Sequence, residues 1–311
     1  MRPIRCGTPN SLFEITTRTV QARMLLKPTA ELRPVVLGCI GRAQSLFPVR
    51  IHAFCFVSNH YHMLVSADDA QQLSAFVGHV NGNVTREANR LTGWTGSMWS
   101  RRFRSVPVSA QQAAQQWRLR YVLSHGVKER LVERVSDWPG ASTTPWLTAG
   151  EELKGVWHDR TAEYNARRRK GYVPQPGEFE TEQVVHMSPL PCWAEVPEAQ
   201  WRMEVGEMVQ AIESEADEAD QGALRPVLGI AAVLATDPET RPSHSKRSPA
   251  PAVHAVSQQV RQGWRRELHQ LRQAYHEASA RFRGGQRDVA FPPGTFRPTG
   301  GFVGWLACAA A

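Results

Sequence analysis

Two apolar runs of period two, PVRIHAFCFV at 48–57 and HYHMLVS at 60–66, are separated only by Ser58 and Asn59. Alternation of this kind over four to eight residues is the pattern of a strand. A two-residue link of turn-prone types joins strands as an antiparallel pair. Side chains two apart on a strand share a face. His60 and His62 are therefore expected side by side with Leu64, and Tyr61, Met63 and Val65 on the opposite face. Neutral imidazole is the commonest protein metal ligand, so two adjacent rings on one face make the start of a metal site. A half-buried pair with ordinary hydrogen bonds is the other reading.

The surrounding pattern fits an α+β domain. Residues 13–24 read as a strand, and 30–46 as a helix with Leu32, Val35, Val36, Cys39 and Ile40 at helical spacing. A second helix is expected from about 70 to 92, with Leu73, Phe76, Val77, Val80, Val84 and Leu91 on one side and Asn81, Asn83, Arg86, Asn89 and Arg90 on the other. MWSRRFRSVPVS then reads as a strand. A third helix is expected from Ser109, as N-cap, to about Gly126, as terminator. The order β-α-β-β-α-β-α is the split βαβ, or ferredoxin-like, arrangement with one extra helix. Beyond 147 the character changes. Loop-like stretches (RRRKGYVPQPGE, SPLPCW, TRPSHSKRSPAPA) separate two helical patterns. The acidic one carries Trp201, Val205, Met208 and Ile212, and the arginine-rich one carries Trp264, Leu268, Leu271, Tyr275 and Phe282. The chain divides on this reading into a domain at 1–147 and a mostly helical or irregular accessory region at 148–311.

Charge is unevenly shared between the two. Residues 1–150 hold 18 Lys plus Arg against 8 Asp plus Glu, while 151–311 hold 19 against 21, so the net charge of +8 comes from the first half. Most of that excess is arginine, whose planar fork suits phosphate oxygens. A polyanionic partner is implied, nucleic acid above all. The five cysteines (6, 39, 55, 192 and 308) are scattered, with no CxxC, which suits a reducing compartment and argues against a thiolate zinc site. No apolar run has the length of a membrane span, and the first residues lack the apolar core of a signal peptide. The cytoplasm is the expected compartment.

The segment RYVLSHGVKERLV places Tyr121 and His125 four residues apart, one turn from each other on a helix. If that helix packs beside the central strands, a phenol and a third imidazole come near His60 and His62. A phenol, with pKa ~10, is a poor nucleophile at neutral pH unless a cation or base stabilises the phenolate. A metal would supply that, and would polarise a phosphoryl oxygen. These parts suit attack of a tyrosine on a DNA phosphate. Taken one by one, the same residues have plainer roles. Tyr121 can pack on the sheet, His125 can cap the last carbonyls of its helix, and His52 fits the core.

SNHYHMLV, WSRRF and RYVLSHGVKERLVERVSDWPG, in this order and at these separations, resemble the REP-associated tyrosine transposases, a branch of the single-tyrosine HUH superfamily. The resemblance covers roughly residues 10–147. It implies a metal-dependent nickase and strand transferase acting on single-stranded, often hairpin-forming DNA, with no small-molecule cofactor. His60 and His62 match the metal ligands, and Tyr121 matches the nucleophile that becomes joined to the DNA 5′-phosphate and releases a 3′-hydroxyl. The Asn-Pro that commonly follows the tyrosine is replaced here by His125-Gly126. His125 would then complete the site for Mg²⁺ or Mn²⁺, and a three-imidazole set tilts the choice toward Mn²⁺ or a later transition metal. Arg101, Arg102 and Arg104, interleaved with Trp99 and Phe103, are expected as phosphate contacts and base-stacking aromatics. Arg86 and Arg90 are weaker candidates of the same kind. Monomer and homodimer both remain open. Two other functions fit the residues: a cleavage-deficient, domesticated regulator that binds hairpin DNA, and a metallohydrolase using Asp68 or Asp69 to activate water.

Overall fold

The computed structural model describes residues 11–221, 226–242 and 251–298. Cys6, Cys308 and the 243–250 part of the Pro/Ser-rich stretch lie outside the described residues. Residues 11–128 contain β1 (Ser11–Arg18), α1 (Leu32–Leu46), β2 (Arg50–Val57), β3 (His60–Ala67), α2 (Ala70–Thr92), β4 (Arg104–Val108), α3 (Gln112–Leu123) and a single-turn α4 (His125–Lys128). The strands form one sheet in the order β2-β3-β1-β4. Every neighbouring pair is antiparallel. That is the split βαβ arrangement the sequence pattern implied, since each helix crosses over one intervening strand. Among the described residues no helix is long and apolar enough to cross a membrane.

The sheet is buried on both faces. One face presents Phe13, Ile15, Phe54, Phe56, Tyr61, Met63 and Val65, packed with α1 and α2 residues such as Leu37, Ile40, Phe76 and Val80. The other presents Leu12, Ala53, Cys55, Val57 and Leu64, packed with Leu119 and Val122 of α3. A register shift between Ile51 and Ala53 makes His52 the extra residue of a β-bulge. The bulge lets Ile51 join the first face and Ala53 the second. His52 is buried, with Nε2 2.9 Å from the Ser66 hydroxyl and Nδ1 2.7 Å from the Pro189 carbonyl.

Several expected boundaries move. β1 ends at Arg18, and the chain then makes a 3-10 turn at Val20–Ala22 where the strand was expected to continue. Residues 98–103 are irregular and β4 begins only at Arg104, because Trp99 and Phe103 turn back to pack against the first core. α3 starts at Gln112 and is not capped by Ser109, whose hydroxyl is spent on the Gln111 side chain. The helix also breaks at Ser124, so His125 opens a new turn. Leu91 is exposed, beyond the apolar stripe of α2.

Beyond Ala149 a hairpin of β5 (Leu153–His158) and β6 (Glu180–Val185) lies on the outer side of α1, flanked by α6 (Arg160–Arg167). The approach is close: a Cβ added to Gly38 would sit 2.1 Å from the Val156 carbonyl oxygen. Only glycine fits at such a helix–strand contact. α5 (Thr144–Ala149) and the acidic α7 (Glu198–Gln221) close the second core, where Trp193, Trp201, Val205 and Ile212 pack with Leu119, Val127 and Trp138. Short α8 (Ile230–Ala235) adds Val233 to that core, and the arginine-rich α9 (Gln258–Arg283) follows. The two halves differ in composition, yet both cores draw on residues from each side of 147.

Candidate active site

The alternation of β3 carries His60 and His62 to the second face, where α3 brings Tyr121 and the turn after it brings His125. The ring centroids of His60 and His62 are 5.3 Å apart, those of His60 and His125 5.3 Å, and those of His62 and His125 4.3 Å. The ring of Tyr121 lies 5.2 Å from His62 and 4.7 Å from His125. One nitrogen from each histidine falls within 4.8 Å of the others, so the three can share a single metal ion.

Each imidazole has its Nδ1 engaged elsewhere. His60 Nδ1 is 2.7 Å from Asn59 Oδ1, His62 Nδ1 is 2.7 Å from Glu14 Oε1, and His125 Nδ1 is 2.9 Å from the Tyr121 carbonyl. All three partners are acceptors, so Nδ1 carries the proton and donates. That leaves Nε2 with its lone pair, the arrangement in which metal-binding histidines are found. Burial pushes His125 down to about 3. Burial likewise lowers His60 and His62, with Glu14 opposing the shift at His62. Three neutral imidazoles at pH 7, with their protons turned away from one point, fit a divalent metal.

Glu14 is the residue that sequence reasoning missed. The metallohydrolase reading needs Asp68 or Asp69 near the histidines, but these lie past the far end of β3, and Asp69 caps α2 by accepting from the Gln72 amide. Glu14 is diagonal to His62 across the β1–β3 pair, where Glu14 opposes Leu64 and Thr16 opposes His62. It is 4% exposed and meets three cationic or protonatable groups. These are His62, Arg118 Nη2 at 2.5 Å and His254 Nε2 at 2.6 Å. Burial alone would raise its carboxyl, but the contacts to His254 and His62 and the charge of Arg118 hold it well below the usual carboxylate range. The available signal was one acidic residue inside an otherwise apolar or hydroxylic strand, SLFEITTR. Nothing near His254 in the sequence marks it.

Tyr121 is half-buried. Burial raises its phenol above the ordinary value, and Arg118 offsets part of that rise. Arg118 lies over one part of the ring at 3.9 Å from the centroid, and Lys128 Nζ lies at 4.3 Å. Two cations at a phenol favour the phenolate. Tyr121 also faces a cavity of about 830 Å³ between α3, α4 and α7.

The expected DNA-contacting residues are scattered. Arg104 stands on β4 opposite Thr16, which itself opposes His62, so Arg104 shares the histidine face two strands away. Arg101 and Arg102 are exposed in the irregular segment before it. Trp99 donates its indole N–H to the Asn81 carbonyl at 3.0 Å and packs edge-on against Tyr61, while Phe103 is partly buried against the same core. Arg86 and Arg90 are exposed on α2, which covers the face of the sheet away from the histidines. The Asp-Trp-Pro stretch is an anchor: Trp138 is buried and donates to the Phe56 carbonyl at 2.9 Å.

The split βαβ sheet thus gathers a histidine cluster and a helix-borne tyrosine on one face. The sequence model described as "Transposase IS200 like" matches residues 19–124, a span that includes His60, His62 and Tyr121. Over this span, about a third of the chain, the sequence is similar to the IS200-like transposases. Two solved structures are similar. A REP-associated tyrosine transposase bound to a REP hairpin is 19% identical, with TM-score 0.37, over 46% of this chain and 83% of that one. A candidate transposase from Deinococcus radiodurans is 16% identical, with TM-score 0.28, over 38% and 94%. No curated protein matches the chain.

Proposed function

We propose that the chain is a metal-dependent nickase and strand transferase for single-stranded, hairpin-associated DNA, with Tyr121 as nucleophile and His60, His62 and His125 as metal ligands. The observation that carries this reading is the convergence of three neutral imidazoles within 4.8 Å, with the Tyr121 ring against two of them. A bound Mg²⁺ or Mn²⁺ would supply charge neutralisation and orientation of the scissile phosphate. The rest falls to the protein's own groups. Arg118 and Lys128 favour loss of the phenolic proton. The Tyr121 oxygen bonds to phosphorus, the bond to the 3′-oxygen breaks, and that oxygen takes up a proton. The products are a 5′-phosphotyrosine and a 3′-hydroxyl, which can reverse the step on another strand because the phosphodiester energy is kept. Arg104, on the histidine face, and Arg101 and Arg102 beside it are the proposed phosphate contacts nearest the site. We assign the chemistry to residues 1–147 and an accessory part to 148–311.

The test is incubation of the full chain with single-stranded hairpin DNA from its own genomic flanks and Mn²⁺ or Mg²⁺, resolved on a denaturing gel. A slower protein band carrying DNA is expected, absent in Tyr121→Phe and with chelator. Tight hairpin binding without that band would replace this reading with the cleavage-deficient regulator.

A further inference from the structure

The cavity beside Tyr121 has one wall that the family match does not reach. α3 and α4 enclose it on one side and α7, from the accessory region, on the other. Trp117 stands at its rim, one turn before Tyr121 on α3. It is 64% exposed, although it sits in a helix with a core to pack against. Val132 and Ile212 give the cavity apolar walls, and its volume of about 830 Å³ lies in the range of small-molecule sites. Lys128 lies on the tyrosine side, while Glu215 and Asp217 lie on the α7 side. Glu215 holds Arg120 at 2.7 Å, and Asp217 holds Arg134 at 3.3 Å.

We infer that this cavity receives one unpaired nucleobase of the substrate strand, next to the phosphate at Tyr121, and favours a base with an exocyclic amino group. The inference rests on the reading of Tyr121 given above. An open tryptophan beside a nucleophile for DNA is a stacking platform, because every base offers a π-face. The charges set the direction of entry. Arg118, Arg120 and Lys128 line the α3–α4 side, whereas α7 contributes carboxylates and no cation, so the backbone stays on the α3–α4 side and the base points toward Glu215 and Asp217. Those groups only accept hydrogen bonds, and a carboxylate has about four lone-pair sites, so Glu215 can serve both Arg120 and a base. Adenine, cytosine and guanine present amino donors there. Thymine presents a single N–H flanked by two carbonyl oxygens that a carboxylate repels. The accessory region thereby becomes part of substrate choice.

The experiment titrates hairpin strands, each with one unpaired position made abasic, into the full-length protein and its variants. One position should weaken binding roughly tenfold in the wild type, in line with the loss of one base–aromatic stack. Trp117→Phe should keep that sensitivity, whereas Trp117→Ala should bind roughly tenfold more weakly and lose it. Thymine at the same position should bind several-fold more weakly than cytosine or adenine, with the gap narrowed in Glu215→Gln. Equal abasic sensitivity in wild type and Trp117→Ala would overturn the base site. Absence of discrimination against thymine would overturn the amino-group preference. A wild type that shows the sensitive position yet forms no covalent adduct would sink the nucleophile assignment alone. One that binds no strand overturns both.

Discussion

The two faces of β3 use the same backbone for opposite purposes. Tyr61, Met63 and Val65 point into a core closed by α1 and α2. Tyr61 stacks on Phe56 at 4.3 Å and donates to Asn81 Oδ1 at 2.8 Å, and burial holds its phenol above the ordinary value. One residue away on either side, His60 and His62 are also buried but face imidazole, carboxylate and guanidinium groups. Burial alone therefore does not make a site. Tyr61 has one hydrogen-bonding amide and apolar rings around it, so its proton has nowhere to go. Tyr121 has two cations over its ring and an open cavity beside it.

The strongest way to break this contrast is to remove each hydroxyl in turn. Tyr121→Phe should eliminate the DNA adduct, while Tyr61→Phe should keep it and cost about 1 kcal/mol of stability, the worth of one buried hydrogen bond. Loss of the adduct in Tyr61→Phe at unchanged stability would show that the faces are not separate. Next comes Glu14→Gln, which removes the negative charge behind His62 and leaves only a neutral amide oxygen to accept from its Nδ1. Mn²⁺ affinity, read by electron paramagnetic resonance without DNA, should fall about 10- to 100-fold, as for other partners that orient metal-binding histidines. An unchanged affinity would make Glu14 a purely structural hub. On the apolar face, Met63→Ala should lower the unfolding free energy by about 2–5 kcal/mol in urea titrations. Mn²⁺ affinity of the folded protein should hold; a matching loss would join the two faces into one unit.

A separate effect, on stability alone, concerns pH. His52 is pushed down to about 4 by burial, and its hydrogen bonds to the Pro189 and Ser188 carbonyls oppose that shift. In the unfolded chain the ordinary value is ~6.5. The unfolded state therefore takes up a proton first as pH falls. Its contribution is complete above about pH 6.5 and is lost toward pH 4, up to roughly 3 kcal/mol. Urea midpoints at pH 7.5 and 4.5 should differ less in His52→Gln than in the wild type by about that amount. Parallel behaviour of the two proteins would exclude His52 as a source of the acid sensitivity.

Period and spacing alone determined the parts of this protein that lie within one element. The alternation of HYHMLVS put His60, His62 and Leu64 on one face, and the four-residue step from Tyr121 put His125 one turn away. The first of these relations is fixed by the pleat and the second by the helical turn, and His125 kept its place even though the helix breaks at Ser124. Charge counting likewise located the basic half. The relations between elements were decided only by the tertiary structure. Whether α3 covers the histidine face, that Glu14 lies diagonal to His62, and that His254 arrives from beyond the Pro/Ser-rich stretch all depend on register and packing across long loops. The same holds for the arginines. Arg86, Arg90 and Arg104 carry the same guanidinium, but sheet order put Arg104 on the site's face and α2, with Arg86 and Arg90, on the other. A side chain's direction is local, because the backbone of its own element sets it. Its neighbours are not, because they are chosen by whichever apolar faces the whole chain can bury together.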